Sequence, residues 1–139
     1  MNNILSRLPV YAAALWWGSL TTIGFLVVPL LFMHLPTPAL AGGMAAKLFT
    51  AQTWVSVTCG GILLLISTSK QASAPAQRAH DAIVFILLGL LLALLVEFAV
   101  APRIVTRTNL KLWHSVGSVM YLVQWLCAAI VFWRITPKQ

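Results

Sequence analysis

The stretch AIVFILLGLLLALLVEFAVAP, residues 82–102, is the most informative part of the chain for its architecture. Its 21 residues carry one ionisable group, Glu97. At about 1.5 Å per residue, a helix of this length covers the roughly 30 Å hydrocarbon core of a bilayer. The stretch lacks the strict alternation of a barrel strand, and its residues are mostly Leu, Ala, Val and Ile. In lipid, a helix satisfies its own backbone groups, so this segment reads as a membrane-spanning α-helix.

Outward from it, three further runs are free of charged side chains: residues 8–33, 48–69 and 112–133. The spans are predicted at about 8–33, 45–68, 82–102 and 110–134, which gives a single all-α four-helix transmembrane bundle. The whole chain agrees with this. Of its 139 residues 60% are hydrophobic and only 8% charged, and the mean hydropathy is +0.93. Soluble domains carry about 25% charged residues, so this chain cannot cover itself with a soluble surface. Disorder is excluded by the same hydrophobicity. The net charge of +7 does not make a nucleic-acid binder, because the basic residues are scattered between apolar runs rather than gathered on a stripe. The expected partner is the lipid bilayer, with a homo-oligomer or a membrane-protein partner as further options.

The connections read as short. His34 to Pro38 breaks the chain after the first span, with Thr37 as N-cap and Pro38 in the first turn of the second helix. Residues 68–81 read as a polar loop, and residues 102–109 as a tight hairpin. No internal repeat is evident. Arg7 and the Ala12-Ala13-Ala14 cluster invite a signal-peptide reading, but the apolar run continues far past them, so the first run is expected to stay as a span. Trp113 and Trp133 bracket the fourth helix at the two interfaces, whereas Trp16, Trp17, Trp54 and Trp125 are expected to be packing residues.

With four spans, Arg7, Lys70, Arg78, Arg134 and Lys138 fall on the terminal side and Lys47, Arg103, Arg107 and Lys111 on the loop side. This near balance is a weak orientation signal. Both termini are expected in the cytoplasm of a bacterial inner membrane; insertion in both orientations, as an antiparallel homodimer, is the other option. Small residues recur at helical spacing: Ala14, Gly18 and Thr22; Thr53, Ser56 and Gly60; Gly89 and Ala93; Gly117, Tyr121, Gln124 and Ala128. Close backbone approach is how helices associate in lipid, so Gly18, Gly60, Gly89, Ala93 and Gly117 are expected inside the bundle.

Glu97 continues the Gly89–Ala93 stripe and should face protein. An ionisable group at the bilayer centre costs roughly 2.5–3.5 kcal/mol on insertion scales, less near an interface. Two readings stay open. In the first, Glu97 pairs with Lys111, Arg103 or His114 and locks the third helix to the fourth. In the second, Glu97 and His114 form a polar intramembrane site for a proton or ligand, supported by Arg103 and by Gln52, which is read as lying near the start of the second helix. A metal version would use His34, Glu97 and His114, with Met33, Met44 and Met120 as soft neighbours, although no ligand spacing such as H-x-x-x-H is present. Haem at His34 and His114 is a remote option. Cys59 and Cys127 read as small apolar residues. No P-loop, nucleophile elbow or zinc-protease motif occurs, and no cofactor is required by the sequence.

Leu15-Trp16-Trp17-Gly18, followed by Val28-Pro29-Leu30-Leu31-Phe32, resembles the opening helix of the bacterial relatives of mammalian transmembrane protein 205. Lys47-Leu48-Phe49 leading to Trp54 resembles that family's second helix. Glu97 to Pro102-Arg103 and His114-Ser115-Val116 with Ser118 resemble its third and fourth. The resemblance implies a four-span membrane protein of unknown molecular function, loosely similar to membrane domains of copper-handling proteins. It carries over Trp17, Gly18, Pro29, Phe49, Glu97, Arg103 and His114 as a recurring pattern, in which His34 has no counterpart. The functional expectation is a non-enzymatic protein handling a small solute, proton or metal ion. An accessory or scaffold subunit of a larger membrane complex is the alternative, and a haem or porphyrin oxidoreductase the remote one.

Overall fold

A computed structural model describes the backbone of residues 2–70 and 76–136, and the side chains of residues 7–68 and 82–136. The centre of the predicted polar loop, the side chains of Lys70 and Arg78, and Lys138 lie outside the described residues. Four long helices follow one another. Helix α1, residues 2–34, comprises the α-helix Asn2–Thr22, a π-helical turn Ile23–Val27 and the α-helix Val28–His34. Helix α2 is Pro38–Lys70. Helix α3, residues 76–105, comprises Ala76–Leu95, a second π-helical turn Val96–Val100 and Ala101–Val105. Helix α4 is Leu110–Ile135. No strand occurs among the described residues. Each helix is long and apolar enough to cross a membrane, over Arg7–His34, Pro38–Thr68, Ala82–Val105 and Leu110–Ile135. The fold is the expected all-α four-helix bundle.

The helices pack in a ring, α1 on α2, α2 on α3, α3 on α4 and α4 back on α1. The inward stripe of α1 is Pro9, Ala13, Trp16 and Leu20, and that of α3 is Ala82, Ile86, Gly89 and Ala93. From α2, Gln52, Ser56, Cys59 and Leu63 are buried, and from α4, Gln124, Cys127, Ala128 and Val131. Large and small residues interdigitate at the centre. The indole of Trp16 occupies the space that a Cβ on Gly89 would need, and Leu90 does the same at Gly60. A Cβ on Gly117 would stand 3.3 Å from Val100. Four of the five expected packing residues (Gly60, Gly89, Ala93 and Gly117) therefore lie between helices.

Gly18 does not. A Cβ built on it meets nothing within 4 Å. Helix α1 is turned so that the Trp16–Leu20 stripe faces the core, which leaves Ala14, Gly18 and Thr22 towards its outer side. Trp54 also departs from its expected packing role, being 58% exposed. Trp16, Trp17 and Trp125 are buried or half-buried as expected, with Trp17 stacked on Phe132 at 5.7 Å. Cys59 and Cys127 are free and buried.

Several helix ends lie outside the predicted spans: α1 begins at Asn2, and α3 begins at Ala76, inside the stretch 68–81 read as a polar loop. Helix α2 begins at Pro38, as the Thr37 cap implies, about two turns before the apolar span predicted from about residue 45; Thr37 Oγ1 accepts from the Leu40 amide at 3.3 Å. Ala41 and Ala45 are then buried, which keeps this extra length helical. Nor does Pro102 end α3. A proline ring clashes with the carbonyl four residues earlier and offers no donor. The π turn just before it relieves the clash by passing the bonding to a wider ring, with the Ala101 amide donating to Val96 O. Pro29 is preceded by the same device, the Val28 amide donating to Ile23 O. The hairpin shrinks to residues 106–109, where Arg107 (φ 55°) and Asn109 (φ 46°) take left-handed conformations.

Candidate functional site

Glu97 lies in the π turn of α3 and is half-buried. Its Oε1 accepts a hydrogen bond from Thr50 Oγ1 of α2 at 2.9 Å. The carboxylate therefore faces protein, as its place on the Gly89–Ala93 stripe implies, but the helix it faces is α2 rather than α4. Among the described residues, the ion pair expected with Arg103, Lys111 or His114 is not formed. Arg103 donates from Nη1 to Ala99 O at 2.9 Å, and its guanidinium sits 4.4 Å above the Trp113 ring. Lys111 and His114 are exposed. The π turn accounts for this: Glu97 lies inside it, and the extra residue offsets Arg103 and the residues beyond from the stripe that carries the acid. Arg103, one turn beyond Ala99, spends its fork on a backbone carbonyl and an indole face. The carboxylate is left with a neutral hydroxyl as its partner.

The polar residues of the loop side thus do not converge. His34 is exposed at the end of α1, and among the described residues no three His, Cys, Asp or Glu side chains come together as a ligand group. His34, Glu97 and His114 consequently do not form the expected metal triad. A groove of about 280 Å³ between α1 and α2, lined in part by Leu15, Trp54 and Thr58, includes none of them.

A second polar layer lies deeper. Because α2 starts at Pro38, Gln52 stands near the middle of its span instead of near the helix start. Gln52 is 2% exposed. Its Nε2 donates to Ser19 Oγ of α1 at 3.0 Å and to Ser56 Oγ at 3.4 Å. From α4, Gln124 Nε2 donates to the same Ser56 Oγ at 3.1 Å. The two serine hydroxyls donate to main-chain carbonyls, Ser19 to Trp16 O and Ser56 to Gln52 O. Gln52 Oε1 is buried with no hydrogen-bond partner. Two further bonds tie α1 to α4: Tyr121 OH donates to Leu20 O at 2.8 Å, and Trp125 Nε1 to Thr21 Oγ1 at 2.8 Å. Gln52 shares no hydrogen bond with Glu97, Arg103 or His114; its partners are Ser19 and Ser56, and Gln124 joins through Ser56.

Sequence reasoning placed Gln124 on an inward stripe and Ser56 near another, yet did not join them to Gln52 as one layer. The available signal was depth. Ser19, Gln52, Ser56 and Gln124 all lie near the middle of their spans once the start of α2 is set by its Thr37 cap.

The chain matches no curated protein and no solved structure. One family model does match, over residues 11–112, a region that includes Glu97, Gln52 and Arg103 and ends just before His114. That region is well over half of the chain, and the chain belongs to the family described as Domain of unknown function (DUF4149).

Proposed function

We propose that this chain is a non-enzymatic integral membrane protein that handles a small ion, a proton or a cation, at Glu97. The observation that carries the reading is a half-buried carboxylate inside an apolar span whose hydrogen-bond partner is the neutral hydroxyl of Thr50. Buried charges are ordinarily paired. An intramembrane acid that is not locked to a basic side chain retains its capacity to take up and release a positive charge. Thr50 orients the carboxylate by donating one hydrogen bond, which leaves the second carboxylate oxygen for the incoming ion. His114 and Arg103, towards the loop side, would act as exchanging and steering groups. Kinship with the bacterial relatives of mammalian transmembrane protein 205 is part of the proposal and rests on the sequence resemblance alone. An inner-membrane location with both termini in the cytoplasm completes the proposal.

The test is ion movement in proteoliposomes containing a trapped pH-sensitive dye, with imposed proton, sodium and potassium gradients in turn. The wild-type chain should conduct or exchange one of these ions. Glu97→Gln, which keeps shape and hydrogen bonding, should lose at least tenfold of that flux while the protein still accumulates and extracts as a folded bundle. Equal flux in wild type and Glu97→Gln, or none in either, overturns the reading.

A further inference from the structure

One register between α1 and α3 pairs Phe25-Leu26-Val27-Val28-Pro29 with Phe98-Ala99-Val100-Ala101-Pro102. The same register superimposes the two π turns, Ile23–Val27 on Val96–Val100. It also brings the inward stripe of α1 onto that of α3, residue for residue. Between α2 and α4 a single register pairs Phe49 with Tyr121 and Gln52 with Gln124. Against the sequence reading, which found no internal repeat, the hairpin α1–α2 and the hairpin α3–α4 repeat one plan, and the ring order α1, α2, α3, α4 is what a twofold axis along the bundle produces.

A residue beside such an axis meets its own mate across it. The contacts bear this out in three layers. Trp16 lies against its mate Gly89. Gln52 and Gln124 meet on Ser56. The rings of Phe49 and Tyr121 stand 5.3 Å apart, edge to face. The amide layer is the middle one, with the indole on the terminal side and the aromatic pair on the loop side. Membrane proteins built from repeats characteristically hold their substrates at the repeat interface near the midplane.

We propose that this amide layer, on the pseudo-twofold axis at the middle of the membrane, is a binding site for a small neutral hydrogen-bond donor, and that water occupies it. Gln52 Oε1 is the acceptor that calls for a guest, being buried and unpartnered. None of its neighbours serves it: both serine hydroxyl hydrogens are committed to main-chain carbonyls, and the Nε2 groups of Gln52 and Gln124 donate to the serines. A buried acceptor without a donor costs about 1–3 kcal/mol, which a water removes by donating to it. Gln52, Gln124, Ser19 and Ser56 are all uncharged, so a cation would enter the layer without a counter-charge. The site therefore selects a neutral guest, and it stands independently of the Glu97 reading.

The experiment is water-edited solid-state NMR on the full chain in liposomes, with water itself as the probe. Transfer from water to the Gln52 side-chain amide should build up several-fold faster than to the buried Leu63 methyls and approach that at the exposed Thr108. Build-up at the Gln52 amide no faster than at Leu63 overturns the proposal. In Gln52→Met, which keeps the length and removes the acceptor, transfer to the Gln124 amide should fall to the Leu63 level. Persistence of that transfer in a folded variant overturns the assignment of the water to Gln52 Oε1. Should the variant fail to fold, the measurement on the native chain decides alone.

Discussion

At the residue scale, the bundle is governed by what each inward position must accommodate. Gly89 is glycine because the Trp16 indole fills the volume of its missing side chain. Gly89→Ala should cost about 1–3 kcal/mol, since neither a buried indole nor the helix backbone moves freely. Gly18→Ala, with open space at its Cβ, should be neutral or slightly stabilising through helix propensity. Denaturant titration of the two variants in the same detergent checks the contrast, and a comparable loss in both contradicts the observed rotation of α1. The residue scale also explains why Glu97 and His114 do not meet. A lone acid near basic residues in sequence suggests a pair, and the stripe containing Gly89 and Ala93 indicates correctly that the acid faces protein. Which neighbour it faces depends on one extra residue in a turn, which composition and spacing do not reveal.

At the scale of elements, two prolines are retained inside helices by π turns placed at the same distance before each. For Glu97 this has a direct consequence, because the π turn sets the direction in which the carboxylate projects. Pro102→Ala restores an amide donor and removes the ring clash, so the turn should contract to α geometry. Glu97 would then rotate away from Thr50. A Thr50→Cys/Glu97→Cys pair should cross-link readily with Pro102 present and severalfold less once Pro102→Ala is added, as read by gel shift. Equal cross-linking means that the π turn does not depend on the proline. Helix existence was legible throughout, as four apolar runs of spanning length. Helix ends were less so: Thr37 was readable as a cap, but the turns that follow it are held by Ala41 and Ala45 packing in the bundle, a tertiary effect.

On the whole-molecule scale, the ring of antiparallel neighbours places the turn at residues 35–37 and the turn at 106–109 at one end, and Thr136 at the other. Single cysteines at Thr37 and Thr108 in a Cys59→Ala/Cys127→Ala background should react with an impermeant maleimide from the same side of sealed vesicles, and one at Thr136 from the opposite side. Labelling of Thr37→Cys and Thr108→Cys from opposite sides contradicts the four-span arrangement. Labelling of each from both sides indicates dual insertion, which the near balance of basic residues permits.

That this is a membrane-spanning helical protein follows from the amino-acid order alone, because hydrophobic length is a local quantity that the chain states without reference to its neighbours. Which stripes are small and that Glu97 turns inward follow in the same way from helical periodicity. The rotation of α1, the partner of Glu97 and the gathering of Gln52, Ser56 and Gln124 into one layer emerge with packing. These depend on the relative depth and facing of helices distant in sequence. In lipid, helix pairing rests on backbone fit and a few polar contacts rather than on hydrophobic burial, so hydropathy carries little information about it.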